Sequence, residues 1–200
     1  MNEQHAAGSD DEVVGDSIGD PSVFGLLFDR HYDQVWRYVC RRAGAAVADE
    51  LASEVFVCAL AGRSALGRGE MNARAWLYGI ATNLLREHSR SEARRWRAYA
   101  RAVQPTVTSG DLDDVEGRVD AAARGPAVAR ALAGLQTADR EALLLFALTE
   151  LDYAGIAIAT GVPIGTVRSR LHRARRQVRL ELGLESPLTD AQSTTKGNGP

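Results

Sequence analysis

Residues 152–180 constrain the fold of this chain more than any other stretch. They read Asp152-Tyr-Ala-Gly-Ile-Ala-Ile-Ala-Thr-Gly161-Val-Pro-Ile-Gly-Thr-Val-Arg-Ser-Arg-Leu-His-Arg-Ala-Arg-Arg-Gln-Val-Arg-Leu180. A short apolar helix, a glycine and a longer basic helix follow one another, which is the grammar of a helix-turn-helix. Ala157 is small where the two helices must cross closely, and Gly161 supplies the turn. Ile156, Val167 and Leu171 form the shared apolar seam, which leaves Thr166, Arg168, Ser169, His172, Arg173 and Arg176 to project from the early and middle turns of the second helix. A major groove admits such a helix. Arginines there can bond guanine edges, a serine hydroxyl can bond a base or phosphate, and further arginines neutralise backbone charge. A basic amphipathic helix alone is weak evidence, since some such helices are surface or protein-binding elements, and the preceding turn and matching first helix shift the balance to DNA.

Upstream, the apolar periodicity is helical throughout. Phe24, Phe28, Tyr32, Val35 and Val39 step by four, four, three and four along one face, beginning near Ser22 and ending at Gly44. A second helix, about 48–60, buries Leu51, Val55 and Cys58, with Asp49, Glu50 and Glu54 near its start, where carboxylates favour the helix dipole. A third starts at Asn72, a suitable N-cap, and carries Ala73, Leu77, Ile80, Leu84 and His88 on one side. Its other side is aromatic and basic: Trp76, Asn83, Arg90 and Arg97 recur every seven residues, with Tyr78, Arg86, Arg94 and Arg95 around the flank. A solvated charged face with incidental aromatics is the plain alternative for a lone helix.

The pattern stops at 104–117, where Pro105, Thr106, Thr108, Ser109 and Gly110 precede Asp111, Asp113, Asp114 and Glu116. Such composition marks a linker between domains. Periodicity resumes with Val119 and Ala122, breaks at Gly125-Pro126, and continues through Val128, Leu132 and Leu135 to a helix that Thr137 can cap. The expected fold class is therefore all-α, two small helical domains joined by a flexible acidic linker, the second containing the helix-turn-helix. The divisions are a disordered acidic tail over 1–20, a first domain over 21–101, a linker over 102–117, a second domain over 118–184 and a disordered tail over 185–200.

Charge is segregated behind a net value of -2. Residues 1–20 hold six acids and no Arg or Lys; Arg74 to Arg101 holds seven arginines against two glutamates; Arg168 to Arg179 holds six arginines and no acid. Lys196 is the single lysine, and arginine is the side chain suited to bidentate phosphate and guanine contacts. No apolar run reaches membrane-spanning length and the first residues lack signal-peptide blocks, so a cytoplasmic protein without membrane insertion is expected. Cys40 and Cys58 have no partners at zinc spacing and read as reduced core thiols in preference to a redox or metal role. No cofactor, no metal and no catalytic residues are expected: the chain offers no clustered carboxylates, no phosphate-cradling glycine loop and no nucleophile with a base.

Three segments resemble the extracytoplasmic-function (ECF) sigma factors. Gly165-Thr-Val-Arg-Ser-Arg-Leu-His-Arg-Ala-Arg175 is close to the signature of that family's carboxyl-terminal domain, and Ala75-Trp-Leu-Tyr-Gly-Ile-Ala-Thr-Asn83 resembles that of its amino-terminal domain. Ala48-Asp-Glu-Leu-Ala-Ser-Glu-Val-Phe56 is similar to the acidic helix by which the family grips the polymerase clamp. All three stand in family order, over about 22–101 and 118–182. Ser53, Gly155 and Pro163 depart from the usual residues, the last removing a capping Ser or Thr.

The resemblance implies a sigma factor that binds core RNA polymerase through Asp49, Glu50, Ser53 and Glu54 and directs promoter-specific initiation. The second domain would read the upstream promoter element as duplex. In the first, Trp76, Tyr78, Asn83, Arg86, Arg90 and Arg94 would bind the downstream element as it opens: aromatics stack, Asn83 bonds an extruded base and arginines hold the strand. The linker either threads the polymerase channel or serves as a plain solubilising tether. Family members are commonly restrained by an anti-sigma factor, and no residue here identifies one. The rival function is a stand-alone helix-turn-helix repressor or activator, which predicts palindromic sites and no need for polymerase.

Overall fold

The computed structural model describes residues 8–66, 72–102 and 119–184, with side chains outside 65–66, 91–102 and 119–126. The described residues are helical with no strand. Helix α1 spans Asp10–Asp16, and a short 3-10 turn at Pro21–Phe24 leads into α2, Gly25–Ala43. Then come α3, Ala45–Gly62, and α4, Ala73–Ala102. The second unit holds α5, Val119–Gly134; α6, Thr137–Leu148; α7, Tyr153–Thr160; and α8, Ile164–Glu181. The linker assigned to 102–117 and the tail assigned to 185–200 lie outside the described residues, save for Ala102 at the end of α4.

Helices α2 and α3 turn back on one another at Gly44, whose φ of 87° leaves glycine as the natural occupant. Leu27, Val35, Tyr38 and Val39 of α2 meet Ala48, Ala52, Val55 and Ala59 of α3, all buried. Three alanines on the inner face of α3 let the backbones approach, and α4 closes the core with Ala73, Leu77, Tyr78 and Ala81. Each fully buried Leu, such as Leu27 or Leu77, contributes about 1.5–3 kcal/mol relative to exposure. Asn72 caps α4 as its position suggests, its Oδ1 accepting from the Ala75 N–H at 2.8 Å. Phe28, on the face read as buried, is 39% exposed and stacks with Tyr32 and Phe56 at the rim. Helix α3 begins three residues earlier than its carboxylates suggest. Asp49 and Glu50 therefore sit beyond its first turn, where the dipole argument loses its force.

The acidic amino terminus is not disordered over its described part, and the reason lies in Ser9-Asp10-Asp11-Glu12-Val13-Val14. Ser9 and Glu12 form a reciprocal capping box, and three acids occupy the first turn, where the dipole favours them. Val13 and Val14 are then buried in the main core. Asp10 bonds Arg30 at 3.0 Å and His31 Nε2 at 2.6 Å, and Asp11 Oδ1 accepts from the first N–H of α4, that of Ala73, at 3.0 Å. Burial by itself would raise the Asp10 pKa. The hydrogen bonds and charges of Arg30 and His31 outweigh it and hold the carboxyl below its ordinary value. On the far side Arg63 Nε donates to the Ser17 carbonyl at 3.0 Å.

In the second unit α5 runs through Gly125-Pro126, read from the sequence as a break. Proline forfeits one helical hydrogen bond there, and the burial of Ala131 and Leu135 further along offsets the loss. Thr137 is the first residue of α6 and not its cap; Gln136 holds that position without a side-chain bond. Asp152 caps α7 through the Gly155 N–H at 2.7 Å. Gly161 takes the left-handed conformation, φ 65° and ψ 32°, and Pro163 starts α8 without a side-chain cap. Ile156, Val167 and Leu171 are each no more than 1% exposed, so the apolar seam forms as the sequence indicates.

Candidate nucleic-acid interface

Burying Val167, Leu171 and Ala174 turns the opposite side of α8 outward. Arg168, Ser169, His172, Arg173 and Arg176 are exposed there, with Thr166 half-buried at the edge. Ser169 Oγ donates to the Thr166 carbonyl at 2.9 Å, leaving its lone pairs outward. Arg173 differs from its neighbours: its Nε and Nη2 donate to the two oxygens of buried Asp139 at 2.9 and 2.8 Å. A guanidinium forked onto an internal carboxylate does not present that fork outward, so in this structure Arg173 ties α8 to α6. The sequence gives no sign of this pair, because 34 residues separate its members. Arg175 turns the other way, over the Phe146 ring at 4.5 Å.

Helix α4 presents the second surface. Asn83 and Arg90 are exposed, and Trp76 and Arg86 are half-buried. The Arg94 side chain lies outside the described ones. Tyr78 does not belong to this surface: it is 3% exposed and packs edge-on to Tyr38 with ring centroids 5.2 Å apart. Desolvation raises its hydroxyl pKa despite Arg74, whose guanidinium lies over the ring at 6.0 Å. A ring enclosed in this way offers no stacking face to a base, so its role is core packing.

Helix α7 lies against this stripe. Gly79 falls between Asn83 and Arg86 on the wheel, and the α7 backbone approaches so closely that a Cβ at 79 would stand 2.8 Å from the Ala159 carbonyl oxygen. Arg86 reaches from α4 to α6, its Nε donating to Glu141 Oε1 at 2.9 Å and its Nη2 to Oε2. Arg74 Nη2 donates to Glu150 Oε2 at 3.0 Å. Between them is a cleft of about 320 Å³ lined by Trp76, Asn83 and Arg86 on one side and Ile158, Thr160 and Gly161 on the other.

On α3, Asp49, Glu50, Ser53 and Glu54 are all exposed and share one stripe with Val57, which is 59% exposed. Trp36 Nε1 donates to Asp49 Oδ1 at 2.7 Å and fixes its orientation. Cys40 and Cys58 are half-buried free thiols. Desolvation and the neighbouring Glu54 carboxylate push the Cys58 thiol pKa up, the opposite of what a reactive cysteine needs. Among the described residues no three His, Cys, Asp or Glu side chains gather as a metal site would require, and no helix is long and apolar enough to cross a membrane.

Residues 27–95 match Sigma-70 region 2 and residues 126–178 match Sigma-70, region 4. The chain is similar to the ECF RNA polymerase sigma factor SigC of Mycobacterium tuberculosis (33% identical, covering 85% of this chain and 91% of that protein). It is also similar to SigL of the same species (32% identical, 85% and 94%). The fold is similar to that of CnrH in complex with the cytosolic domain of CnrY, with TM-score 0.61 and 22% identity over 88% of this chain and 99% of that one. It is also similar to the sigma factor RpoE in complex with the anti-sigma factor NepR from Bartonella quintana, with TM-score 0.57 and 21% identity over 82% and 98%. Two regions in order on one chain, with relatives this similar over nearly their whole length, place it: the chain belongs to the ECF RNA polymerase sigma factors.

Proposed function

We propose that this sigma factor divides promoter recognition between α4 and α8, and docks on core RNA polymerase through the acidic stripe of α3. The observation that carries the proposal is the presence, on one chain, of two helices whose inner faces are buried in separate units and whose outer faces carry Asn and Arg, or Arg, Ser and His. The amino-terminal unit, 21–101, serves the downstream element and DNA opening, and the carboxyl-terminal unit, 118–184, serves the upstream element. Both regions and the relatives' full-length similarity disfavour a stand-alone repressor.

On duplex DNA, α8 enters the major groove. Arg168, His172 and Arg176 are placed to reach base edges or phosphates, Ser169 and Thr166 supply hydroxyls, and Arg173 sets the helix in position. At the downstream element, bases that leave the stack are captured by Asn83 and Trp76 while Arg86 and Arg90 neutralise the strand. Captured bases offset the unstacking cost, so the chain's part in opening is binding, and the polymerase forms the phosphodiester bonds. That role needs no cofactor and belongs in the bacterial cytoplasm, with core polymerase and promoter DNA as partners and an anti-sigma factor as the regulatory partner. Permanganate footprinting of unpaired thymines tests the division: Asn83→Ala should keep polymerase binding and lose most opening. Normal opening would remove Asn83 from the interface.

A further inference from the structure

We propose that α1 and its C-cap Ser17 brace Trp76 from two sides, so that the acidic amino terminus positions the side chain at the head of the DNA-opening surface; the inference rests on the reading of α4 given above. Trp76 closes the first turn of α4, its backbone N–H donating to the Asn72 carbonyl at 3.0 Å. Where that turn sits depends on a residue far away in the chain. The first N–H of a helix has no partner within it, and that of Ala73 donates to Asp11 Oδ1 at 3.0 Å, across 62 positions. The carboxylate also complements the positive end of α4.

The second contact is with the end of α3. A Cβ built on Gly62 would stand 3.8 Å from Trp76 Cζ2, so the indole lies in van der Waals contact with the last residue of that helix. Arg63, the next residue, is half-buried; its Nε donates to the Ser17 carbonyl at 3.0 Å and its Nη1 to the Leu60 carbonyl. Ser17 is fully buried, and its Oγ donates to the Val14 carbonyl at 2.7 Å. Asp11 thus holds the helix that carries the indole, and Ser17 holds the helix end on which the indole rests. Between them Val13 and Val14, each 1% exposed, key the segment into the core. A binding side chain works while its supporting contacts keep it in place to within about 0.5 Å, and Asp11 and Arg63 are positioning residues in that sense.

The test uses the full chain with bacterial core polymerase on promoters selected from a random library. Titration reads polymerase affinity, and permanganate reactivity of unpaired thymines reads opening. Asp11→Ala and Arg63→Ala should bind polymerase as the wild type does and open promoters about threefold to tenfold less, the worth of one hydrogen bond in an equilibrium. Asp11→Asn should restore most of the opening, because an amide oxygen also accepts from the Ala73 N–H. In a Trp76→Ala background Asp11→Ala should cause no further loss, since a brace acts only through what it holds. Normal opening by Asp11→Ala and Arg63→Ala, beside a defective Trp76→Ala, overturns the brace alone. So do additive losses in the double variant, polymerase binding that falls in step with opening, or an Asp11→Asn as weak as Asp11→Ala. Normal opening by Trp76→Ala overturns the reading of α4 at that residue and the brace with it.

Discussion

Alanine substitution at Gly161 and at Gly165 should have opposite signs, although the two lie four residues apart at the same turn. Gly161 sits at φ 65° and ψ 32° with nothing within 4 Å of a built Cβ, so a side chain there meets only a backbone penalty. An L-residue in that region costs about 1–2 kcal/mol. Alanine also restricts the unfolded chain, which returns about 0.4–1 kcal/mol. Gly161→Ala should therefore destabilise by about 1 kcal/mol, with Gly161→Asn milder because Asn tolerates the left-handed region. Gly165 also faces open space but lies in the first turn of α8 with ordinary helical backbone, so Gly165→Ala should stabilise by about 0.5–1 kcal/mol. Urea denaturation followed by far-UV circular dichroism measures both, and for a chain of this size each kcal/mol also moves Tm by about 2–4 °C. Stabilisation by Gly161→Ala, or the same sign at both positions, would refute the left-handed turn and with it the hinge of the helix-turn-helix.

Three further outcomes follow from the same contacts. Tyr78→Ala should lose about 3–5 kcal/mol of stability as a core truncation, while Tyr78→Phe should open promoter DNA normally in a permanganate assay; defective opening by the Phe variant would return the residue to the interface. Arg168→Ala should change the sequence preference of upstream duplex binding. Arg173→Ala should weaken binding to all sequences alike, since it releases α8 from Asp139, and selection from a randomised duplex pool distinguishes the two patterns. The folded pKa of Asp10 is depressed, so the stability its pairing contributes is complete above the ordinary aspartate value of about 3.9 and is lost as pH falls through the folded value. Asp10→Asn should flatten the acid limb of a stability profile between pH 2 and 6, and parallel profiles for the two chains would contradict that.

What the sequence displays well is whatever recurs with helical spacing. The seam of Ile156, Val167 and Leu171, the turn at Gly161 and the cap at Asn72 appear where the pattern puts them, while the inner face of α4 is rotated toward Tyr78, Ala81, Thr82 and Leu85 and leaves Ile80, Leu84 and His88 half-buried. Tyr78 was legible too, had it been placed on the wheel: it stands three, four and seven residues before Ala81, Thr82 and Leu85, all buried, and nearly opposite Trp76. Helix α1 carries a local signature in Ser9, Glu12 and the two valines that follow, outweighed in a reading by composition because acids dominate the segment. Arg86 with Glu141 and Arg173 with Asp139 have no such signature. They join residues 55 and 34 positions apart, and an arginine destined for an internal carboxylate looks the same in sequence as one destined for a phosphate.

Run-off transcription from a random-promoter library by bacterial core polymerase, with and without this protein, tests the central claim most directly. Transcripts that depend on the protein and start downstream of two shared motifs, one for each unit, are the predicted result. An absence of dependent transcripts while a control sigma factor works, or transcripts sharing no upstream motif, would contradict it.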